Sequence, residues 1–171
     1  NWGQRTVPTG LDSVIAIAAG ALHSLALKPD GRVVAWGQNT YRQRNVPAGL
    51  KGVVAISAGG YHNLALRENG TVVAWGRNND GQANVPSGLT GVTAIFAGGF
   101  HSIALKSDGP LVAWGRDSDG QVSIPEGMQV AQPGIIRPDL LQIKVQANDG
   151  ANLVAATISV TLVDDPDEDI D

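Results

Sequence analysis

The stretch Val92-Thr-Ala-Ile-Phe-Ala-Gly-Gly-Phe-His-Ser-Ile-Ala-Leu-Lys-Ser-Asp-Gly-Pro-Leu-Val-Ala-Trp-Gly115 decides the fold, because the chain carries it three times with small changes. Its histidine recurs at His23, His62 and His101, at a spacing of 39 residues. A fixed period of this size is typical of stacked small units, none of which buries its apolar surface alone. The repeat therefore predicts the architecture, and the positions where the copies differ are the best guide to function.

Each copy contains three short runs of β-branched and apolar residues. In the third copy these runs are Val92–Gly98, His101–Lys106 and Leu111–Trp114. A Gly-Gly pair and an Asp-Gly pair separate them, and such pairs are typical of tight turns. We therefore expect three antiparallel strands in each copy. The following stretch, 82–89, has to cross back as a short fourth strand or an extended connector.

Alternation along the strands predicts two apolar faces, so each sheet must be covered on both sides. We expect a bulky face that nests into the small face of the next sheet, as propeller blades pack. Phe96 stands where the other copies have Ala18 and Ser57, and we expect it to fill the space of a following blade. In the first copy the predicted bulky face holds Ile15, Ile17, His23, Leu25, Leu27, Val34 and Trp36, and the small face holds Ala16, Ala18, Ser24, Ala26, Val33 and Ala35.

These patterns predict an all-β fold, a partial β-propeller of about three antiparallel blades with three or four strands each. A C-terminal β-hairpin and an acidic tail follow it. The predicted limits are 1–128 for the propeller repeats (blades near 7–45, 46–84 and 85–123), 129–139 for a linker, 140–163 for the hairpin and 164–171 for the tail. Closed propellers have about four to eight blades. Since the chain begins at Asn1, we expect a piece of a longer protein; assembly from several chains and an open arc stay as alternatives.

Composition excludes several classes of partner and site. The 171 residues include no cysteine, which excludes disulfides and thiolate metal sites. No apolar run approaches the length of a membrane span, so we expect no membrane insertion. Residues 1–125 carry a net charge of +3 and residues 126–171 carry −7. Without a dense basic stripe in the repeats, nucleic acid is not an expected partner.

The repeat Ala-Ile-x-Ala-Gly-Gly-x-His-Ser-x-Ala-Leu-Lys-x-Asp-Gly-x-Val-Val-Ala-Trp-Gly resembles the regulator-of-chromosome-condensation repeat. With the Gln-x-x-Val-Pro element after it, the repeat is most similar to the bacterial form, which includes the type II β-lactamase inhibitor protein. The resemblance covers residues 1 to about 128. It implies a β-propeller that acts by binding other proteins. Blade number and the foreign tail depart from the inhibitor, so β-lactamase is not the expected target.

The same resemblance implies where a partner binds, since aromatic side chains at the Gly-x turns form the contact face in the inhibitor. Chain direction independently places these turns at the same end of each sheet as the loops that follow the tryptophans. Tyr41, Arg42 and Arg44 depart from the pattern of the other copies. The two interpretations are a partner contact made by this copy alone and sequence drift without a function. The predicted partner-binding residues are Leu22, Tyr61, Phe100, Tyr41, Arg42, Arg44, Arg77, Asn79, Arg116 and Asp117.

The C-terminal segment from Ile143 to Asp164 resembles the last two strands of a cadherin-like domain of bacterial surface proteins. That resemblance implies a calcium element at Ala147-Asn148-Asp149 and an acidic linker from Asp164. The alternating acids are also spaced as in a calcium loop that ends before its later ligands. The predicted but incomplete metal site consists of Asp149, Asp165, Asp167 and Asp169. We expect no cofactor for this chain, and calcium only in the parent protein.

The repeated histidines and tryptophans are expected to be structural. A catalytic residue is needed once and not once in every blade, so each histidine is interpreted as a blade-core residue bonded to the backbone. The alternative is a metal or base site in a central channel. Since no unique nucleophile–base or carboxylate pair stands outside the repeat, the chain is not expected to be an enzyme.

The leading hypothesis is therefore a non-enzymatic, protein-binding propeller module from a bacterial secreted or cell-surface protein. The alternative is a structural or adhesion spacer of a calcium-dependent surface protein, without a dedicated partner face. Self-association through open blade edges is left open. The sequence identifies neither the partner nor the number of blades in the parent.

Overall fold

The computed structural model describes residues 2–125, residue 128 and two short strands within 144–157. All regular structure in this described part is β-strand, so it contains no helix that could cross a membrane. The chain divides into two compact units, Asn1–Gly134 and Ile135–Asp171. This division does not test the domain limits proposed from the sequence, which stay predictions.

The first unit holds three antiparallel sheets of three strands each, one for every copy of the repeat. The second and third sheets each carry a one-residue register shift early in their first strand. The strands are β1 Ala16–Ala19, β2 His23–Leu27 and β3 Val33–Gly37; β4 Val53–Ala58, β5 His62–Arg67 and β6 Val72–Gly76; β7 Val92–Ala97, β8 His101–Lys106 and β9 Leu111–Gly115. The predicted three-bladed all-β architecture is confirmed.

The turns form where the sequence predicts them. At the β2–β3 turn, Gly31 has φ of +76° and its N–H donates to the oxygen of Lys28 at 3.0 Å. Only glycine adopts this backbone region without strain, which explains why an Asp-Gly or Asn-Gly pair recurs at this turn. The stretch 82–89 forms a connector and no fourth strand. Val85 and Leu89 of that connector still pack against the core between the second and third sheets.

The predicted distribution of bulky and small side chains over the two faces of a sheet is wrong. Leu25 lies directly opposite Ala18 and Ala35, so these three share a face. Ile17 pairs with Ala26 on the other face. Alternation was right within each strand, but the phase between strands depends on the number of residues in the turn. A one-residue error in that phase moves a whole strand to the other face.

Large side chains nest into small ones from blade to blade through the middle strands. Leu25 and Leu27 of the first blade pack in one cluster with Ala65 and Trp75 of the second. Leu64 and Leu66 repeat this arrangement one blade later, with Ala104 and Trp114. Leu25, Leu27 and Leu64 have no exposed surface. Each such leucine stabilises the stack by about 1.5–3 kcal/mol.

Glycine at the turn between the first and second strands of each blade permits close approach of successive blades. A Cβ on Gly59 would overlap the carbonyl oxygen of Gly98 in the next blade and the ring of His62. The backbone also bonds across this seam, from the N–H of Gly60 to the oxygen of Gly98 at 3.3 Å. The N–H of Ala21 donates to the oxygen of Gly60 at 3.2 Å in the same way. The Ala-Gly element is therefore a requirement of blade stacking.

Phe96 does not fill space within the fold. It occupies the position of Ser57, whose hydroxyl accepts a hydrogen bond from the N–H of Ala97 in the following blade at 3.0 Å. Phe96 thus lies on the side of the third blade that is turned away from the second, and it is 46% exposed. The prediction that Phe96 substitutes for a following blade is wrong, because an aromatic ring that filled such space would be buried.

The second unit contains an antiparallel pair, β10 Lys144–Ala147 and β11 Val154–Thr157, in which Lys144 lies opposite Thr157. The connecting Asn148-Asp149-Gly150 and the acidic tail lie outside the described residues.

The corrected faces lead to a direct stability test in the first blade. Leu25→Ala should lower the free energy of unfolding by about 2–5 kcal/mol, because Leu25 is fully buried between blades. Ile17→Ala is the matched control, since Ile17 is 77% exposed and should change stability by less than about 0.5 kcal/mol. Urea denaturation of the full chain measures both. Equal losses would contradict the revised packing.

Candidate functional site

A chain of hydrogen bonds crosses each seam between blades and begins at the repeated histidine. Nε2 of His23 lies 2.7 Å from Oδ1 of Asn63, and Nε2 of His62 lies 2.9 Å from Oγ of Ser102. Asn63 and Ser102 in turn donate to the main-chain oxygens of Gln43 and Gln82, both at 2.8 Å. The same oxygens accept from the indole N–H in the pairs Trp75–Gln43 and Trp114–Gln82, both at 3.0 Å.

These bonds define the proton position on two rings. Ser102 uses its hydroxyl proton for Gln82, so its oxygen accepts from His62, and Nε2 of His62 carries the proton. Oδ1 of Asn63 can only accept, which places the proton of His23 on Nε2 as well. Nδ1 of both rings is buried without a hydrogen-bond partner among the described residues.

The environment of the rings favours the neutral form. Burial is the main cause that lowers the pKa of His62 to about 4, and the positive charges that His101 and His23 would carry are a smaller part of the same shift. Burial also lowers the pKa of His23 and of His101. A second proton would place a charge and an unpaired N–H in the buried seam. His23 and His62 are therefore neutral linkers, each bonded to a side chain of the next blade, where a backbone partner was predicted.

The described part of the chain holds no group of three or more histidine and carboxylate side chains that could bind a metal. The residues of the predicted calcium site, Asp149, Asp165, Asp167 and Asp169, lie outside the described residues.

The loops that follow the tryptophans lie beside the Gly-x turns, as chain direction predicts. The first residue of each loop donates its N–H to the oxygen of the turn residue. The pairs are Gln38–Leu22 at 2.8 Å, Arg77–Tyr61 at 2.9 Å and Arg116–Phe100 at 3.0 Å. We call this end of the three sheets, with its turns and loops, the rim.

Each rim loop is held by a repeated internal frame. The side-chain oxygen of Gln43 accepts from the N–H of Tyr41 at 2.9 Å, and that of Gln82 accepts from Asp80 at 2.9 Å. Both glutamine side chains are fully buried. A second tie follows, in which Oδ1 of Asn39 accepts from the N–H of Arg44 at 2.9 Å. The equivalents of Asn39 in the other loops are Asn78 and Asp117, which accept from Ala83 at 2.9 Å and Val122 at 3.0 Å.

Five aromatic and arginine side chains of the rim, from all three blades, contact one another in a row, which we call the ladder. The rings of Tyr61 and Tyr41 meet edge to face with centroids 5.3 Å apart. The guanidinium of Arg77 lies 5.5 Å from the centroid of Tyr41 and 4.7 Å from that of Phe100. Arg116 continues the row at 5.7 Å from Phe100. Cation–π contacts of this kind contribute about 0.5–1 kcal/mol at exposed sites and more where water is excluded.

Arg77 is the central member of the ladder and is held by two aromatic rings and by an ion pair. Its side chain is 22% exposed and lies 3.3 Å from a carboxylate oxygen of Asp80. Its buried Nε has no hydrogen-bond partner among the described residues. A planar guanidinium between Tyr41 and Phe100 is fixed in orientation before anything binds. Tyr41 itself is 37% exposed, so part of the ladder is open to solvent.

The loop of Tyr41 departs from the other two in backbone as well as in side chains. Tyr41-Arg42 replaces Asp80-Gly81 of the next loop. Arg42 retains the left-handed backbone that this position requires, with φ of +61° against +77° at Gly81. A left-handed conformation costs a residue other than glycine about 1–2 kcal/mol. The chain thus retains an unfavourable residue at an exposed loop tip, where no packing demands it.

The structure brings together five of the ten predicted contact residues, the members of the ladder. Of the others, Leu22 is partly buried, while Arg42, Arg44 and Asn79 are exposed on the rim. Asp117 ties its own loop. Sequence reasoning missed the framing role of Gln43 and Gln82 and of Asn39, Asn78 and Asp117. The signal was their recurrence in every loop, which marks residues that hold a repeated shape.

The repeats match a known protein family. The model of the regulator of chromosome condensation (RCC1) repeat matches residues 14–43, 53–82 and 92–121. The chain therefore belongs to the RCC1-repeat family of β-propeller proteins. No curated protein sequence matches it.

Solved structures agree with this assignment. The chain is similar to Prp20p from Saccharomyces cerevisiae at 28% identity and a TM-score of 0.60, over 70% of this chain and 35% of that one. Human WBSCR16 matches at 25% identity and a TM-score of 0.57, over 70% and 38%. The ectodomain of the Physcomitrella patens receptor kinase CR4 matches at 31% and 0.51, over 60% and 29%. The chain thus spans about a third of the length of these proteins.

The buried histidines predict that acid weakens the blade stack. A group whose pKa is lower in the folded state binds its proton more readily after unfolding, so stability falls as pH falls from 6.5 to about 4. For His62 the loss should reach about 3 kcal/mol. Chemical denaturation at several pH values measures this slope. His62→Gln should remove this part of the loss, so that the free energy of unfolding depends less steeply on pH. An unchanged pH dependence in this variant would contradict the lowered pKa of His62.

The left-handed arginine yields a test of the unusual loop. Arg42→Gly should raise the free energy of unfolding by about 1 kcal/mol, because glycine adopts the observed φ without strain. Arg44→Gly, two residues away at a position without positive φ, should leave stability unchanged or lower it by about 0.5 kcal/mol. Urea denaturation of the two variants compares them. Loss of stability in Arg42→Gly would show that the side chain of Arg42 supports the fold.

Proposed function

We propose that this chain is a non-enzymatic protein-binding module that contacts its partner through the rim, with the ladder at the centre of the interface. The observation that carries the proposal is the ladder itself. It joins Tyr61, Tyr41, Arg77, Phe100 and Arg116 from three blades into one continuous surface. Nothing in the blade core requires aromatic residues at glycine-rich turns.

The residue types of the ladder support this proposal. Tyrosine and arginine are among the residues that dominate binding energy at protein interfaces, together with tryptophan. Their contribution is greatest where they are ordered before binding, because less conformational entropy is then lost. Arg77 is already fixed between two rings, and the buried frame of Gln43 and Gln82 holds the loop tips.

Relatives of the family support a protein partner. Prp20p from Saccharomyces cerevisiae has binding properties toward Gsp1p and histones. Kap60 is bound to yeast RCC1 (Prp20) in another structure, which matches this chain at 25% identity and a TM-score of 0.59. From these relatives we infer that the chain binds a protein, but not which protein it binds.

We also propose where the protein that contains this module is located. The cadherin-like resemblance of 143–164 favours a bacterial secreted or cell-surface protein. In that setting the alternative function, a spacer without a partner face, makes an opposite prediction for the ladder: its removal should have no effect on binding.

Removal of the ladder aromatics tests the function. Tyr61→Ala with Phe100→Ala should lower the affinity for a captured partner at least tenfold, since each truncation removes a central contact worth about 1–2 kcal/mol. The partner is first captured from a lysate on the immobilised chain and identified, and its affinity is then measured by biolayer interferometry. Circular dichroism confirms that the variant is folded.

Phe96→Ala is the matched control, because Phe96 is an equally large aromatic residue that is 46% exposed on the open face of the third blade and does not belong to the ladder. It should bind the partner as the unchanged chain does. Undiminished binding after loss of both ladder aromatics would contradict the proposal. Loss of binding in Phe96→Ala alone would move the interface to the open face of the third blade.

A further inference from the structure

Charge is distributed unevenly around the rim. The four loops 2–6, 38–45, 77–84 and 116–123 carry net charges of +1, +2, 0 and −1 in chain order. Gln4 lies against Gly37, where loop 38–45 begins, so loop 2–6 belongs to the same rim. The positive half is formed by Arg5, Arg42 and Arg44, which are all exposed.

The arginines of the positive half form no ion pair with a residue that the structure describes. The ion pairs of the rim among the described residues are Arg77–Asp80 at 3.3 Å and Arg116–Asp119 at 3.8 Å. The first pair lies in loop 77–84 and the second in loop 116–123. Neither pair includes Arg5, Arg42 or Arg44. Their field is therefore available to a ligand.

Comparison of equivalent positions shows how this charge arises. Arg44 replaces Ala83 and Val122 of the later loops, and Tyr41-Arg42 replaces an Asp-Gly pair. The exchange removes an acid and adds a base in the same loop. It does so at the cost of a left-handed arginine. A residue held in a sparsely populated backbone region at a loop tip points to a role outside the fold.

We propose that the positive half of the rim, Arg5, Arg42 and Arg44 beside Tyr41, recognises an acidic protein segment rich in Asp and Glu. This inference rests on the proposed function, and names the partner chemistry of the same site. Three guanidinium groups pair with carboxylates, and the exposed edge of Tyr41 offers apolar contact at their border. Asp117 and Asp119 on loop 116–123 repel an acidic ligand, so the segment lies over loops 2–6 and 38–45.

The asymmetry of the rim also distinguishes this partner from nucleic acid. A phosphate backbone needs a continuous basic track. Here the basic residues end at loop 77–84, whose net charge is zero, and carboxylates follow. A short acidic segment fits the positive half without meeting them.

The test uses the full chain and a fluorescein-labelled peptide of alternating glutamate and serine, measured by fluorescence anisotropy. The peptide should bind at low ionic strength and weaken as salt is added, since the arginines are exposed. Combined replacement by Arg5→Gln, Arg42→Gly and Arg44→Gln should lower the affinity about tenfold. Arg5→Lys, Arg42→Lys and Arg44→Lys together should retain most of it, because the charge remains.

The charge-matched control combines Arg32→Gln, Lys51→Gln and Lys106→Gln at the opposite end of the sheets, and it should bind as the unchanged chain does. Equal losses in rim and control variants would overturn the proposal, as would absent binding of the peptide. A single-stranded oligonucleotide that binds more tightly than the peptide would overturn it in favour of nucleic acid. Either result leaves the ladder test of Tyr61 and Phe100 unaffected, so the two failures are distinguishable.

Discussion

The seam between blades is the constraint on which the rest of the structure depends. At each seam a histidine donates to the next blade, a carbonyl of the preceding loop collects two donors, and leucines of one middle strand lie over alanine of the next. The same glutamine that offers this carbonyl uses its side chain to hold its loop. Core and rim are thereby coupled through single residues such as Gln82, and a shift of one seam would displace the loop above it.

The sequence predicted the architecture because period, turn residues and strand runs are all local signals. The Asp-Gly turn at Gly31 and the strand around Leu105 needed no knowledge of tertiary contacts. The assignment of faces failed because the phase between neighbouring strands is set by turn geometry, which alternation does not contain. Ile17 and Leu25 therefore lie on opposite sides of their sheet. Phe96 was misplaced because exposure depends on what covers a face.

The candidate site was predicted in outline only. Chain direction placed Tyr61 and Phe100 at the end of the sheets where Arg77 and Arg116 emerge, so the neighbourhood was correct. The order of the side chains in the ladder could not be predicted, since it depends on how far each side chain extends toward the next blade. Tyr41 joins the row through a loop tip whose backbone follows from Gln43 and Asn39. A frame that recurs in every copy is easy to see and hard to interpret, because recurrence alone does not say which atoms meet.

The frame of the rim loops has a consequence for how such surfaces diversify. The buried glutamine and the Asn or Asp tie accept main-chain N–H groups, which every residue except proline possesses. The tip can consequently exchange Asp-Gly for Tyr-Arg while the scaffold beneath stays the same. The side chains that contact a partner are therefore independent of the hydrogen bonds that hold the loops. Transplanting tip dipeptides between repeats offers a route to new binding specificities on an unchanged scaffold.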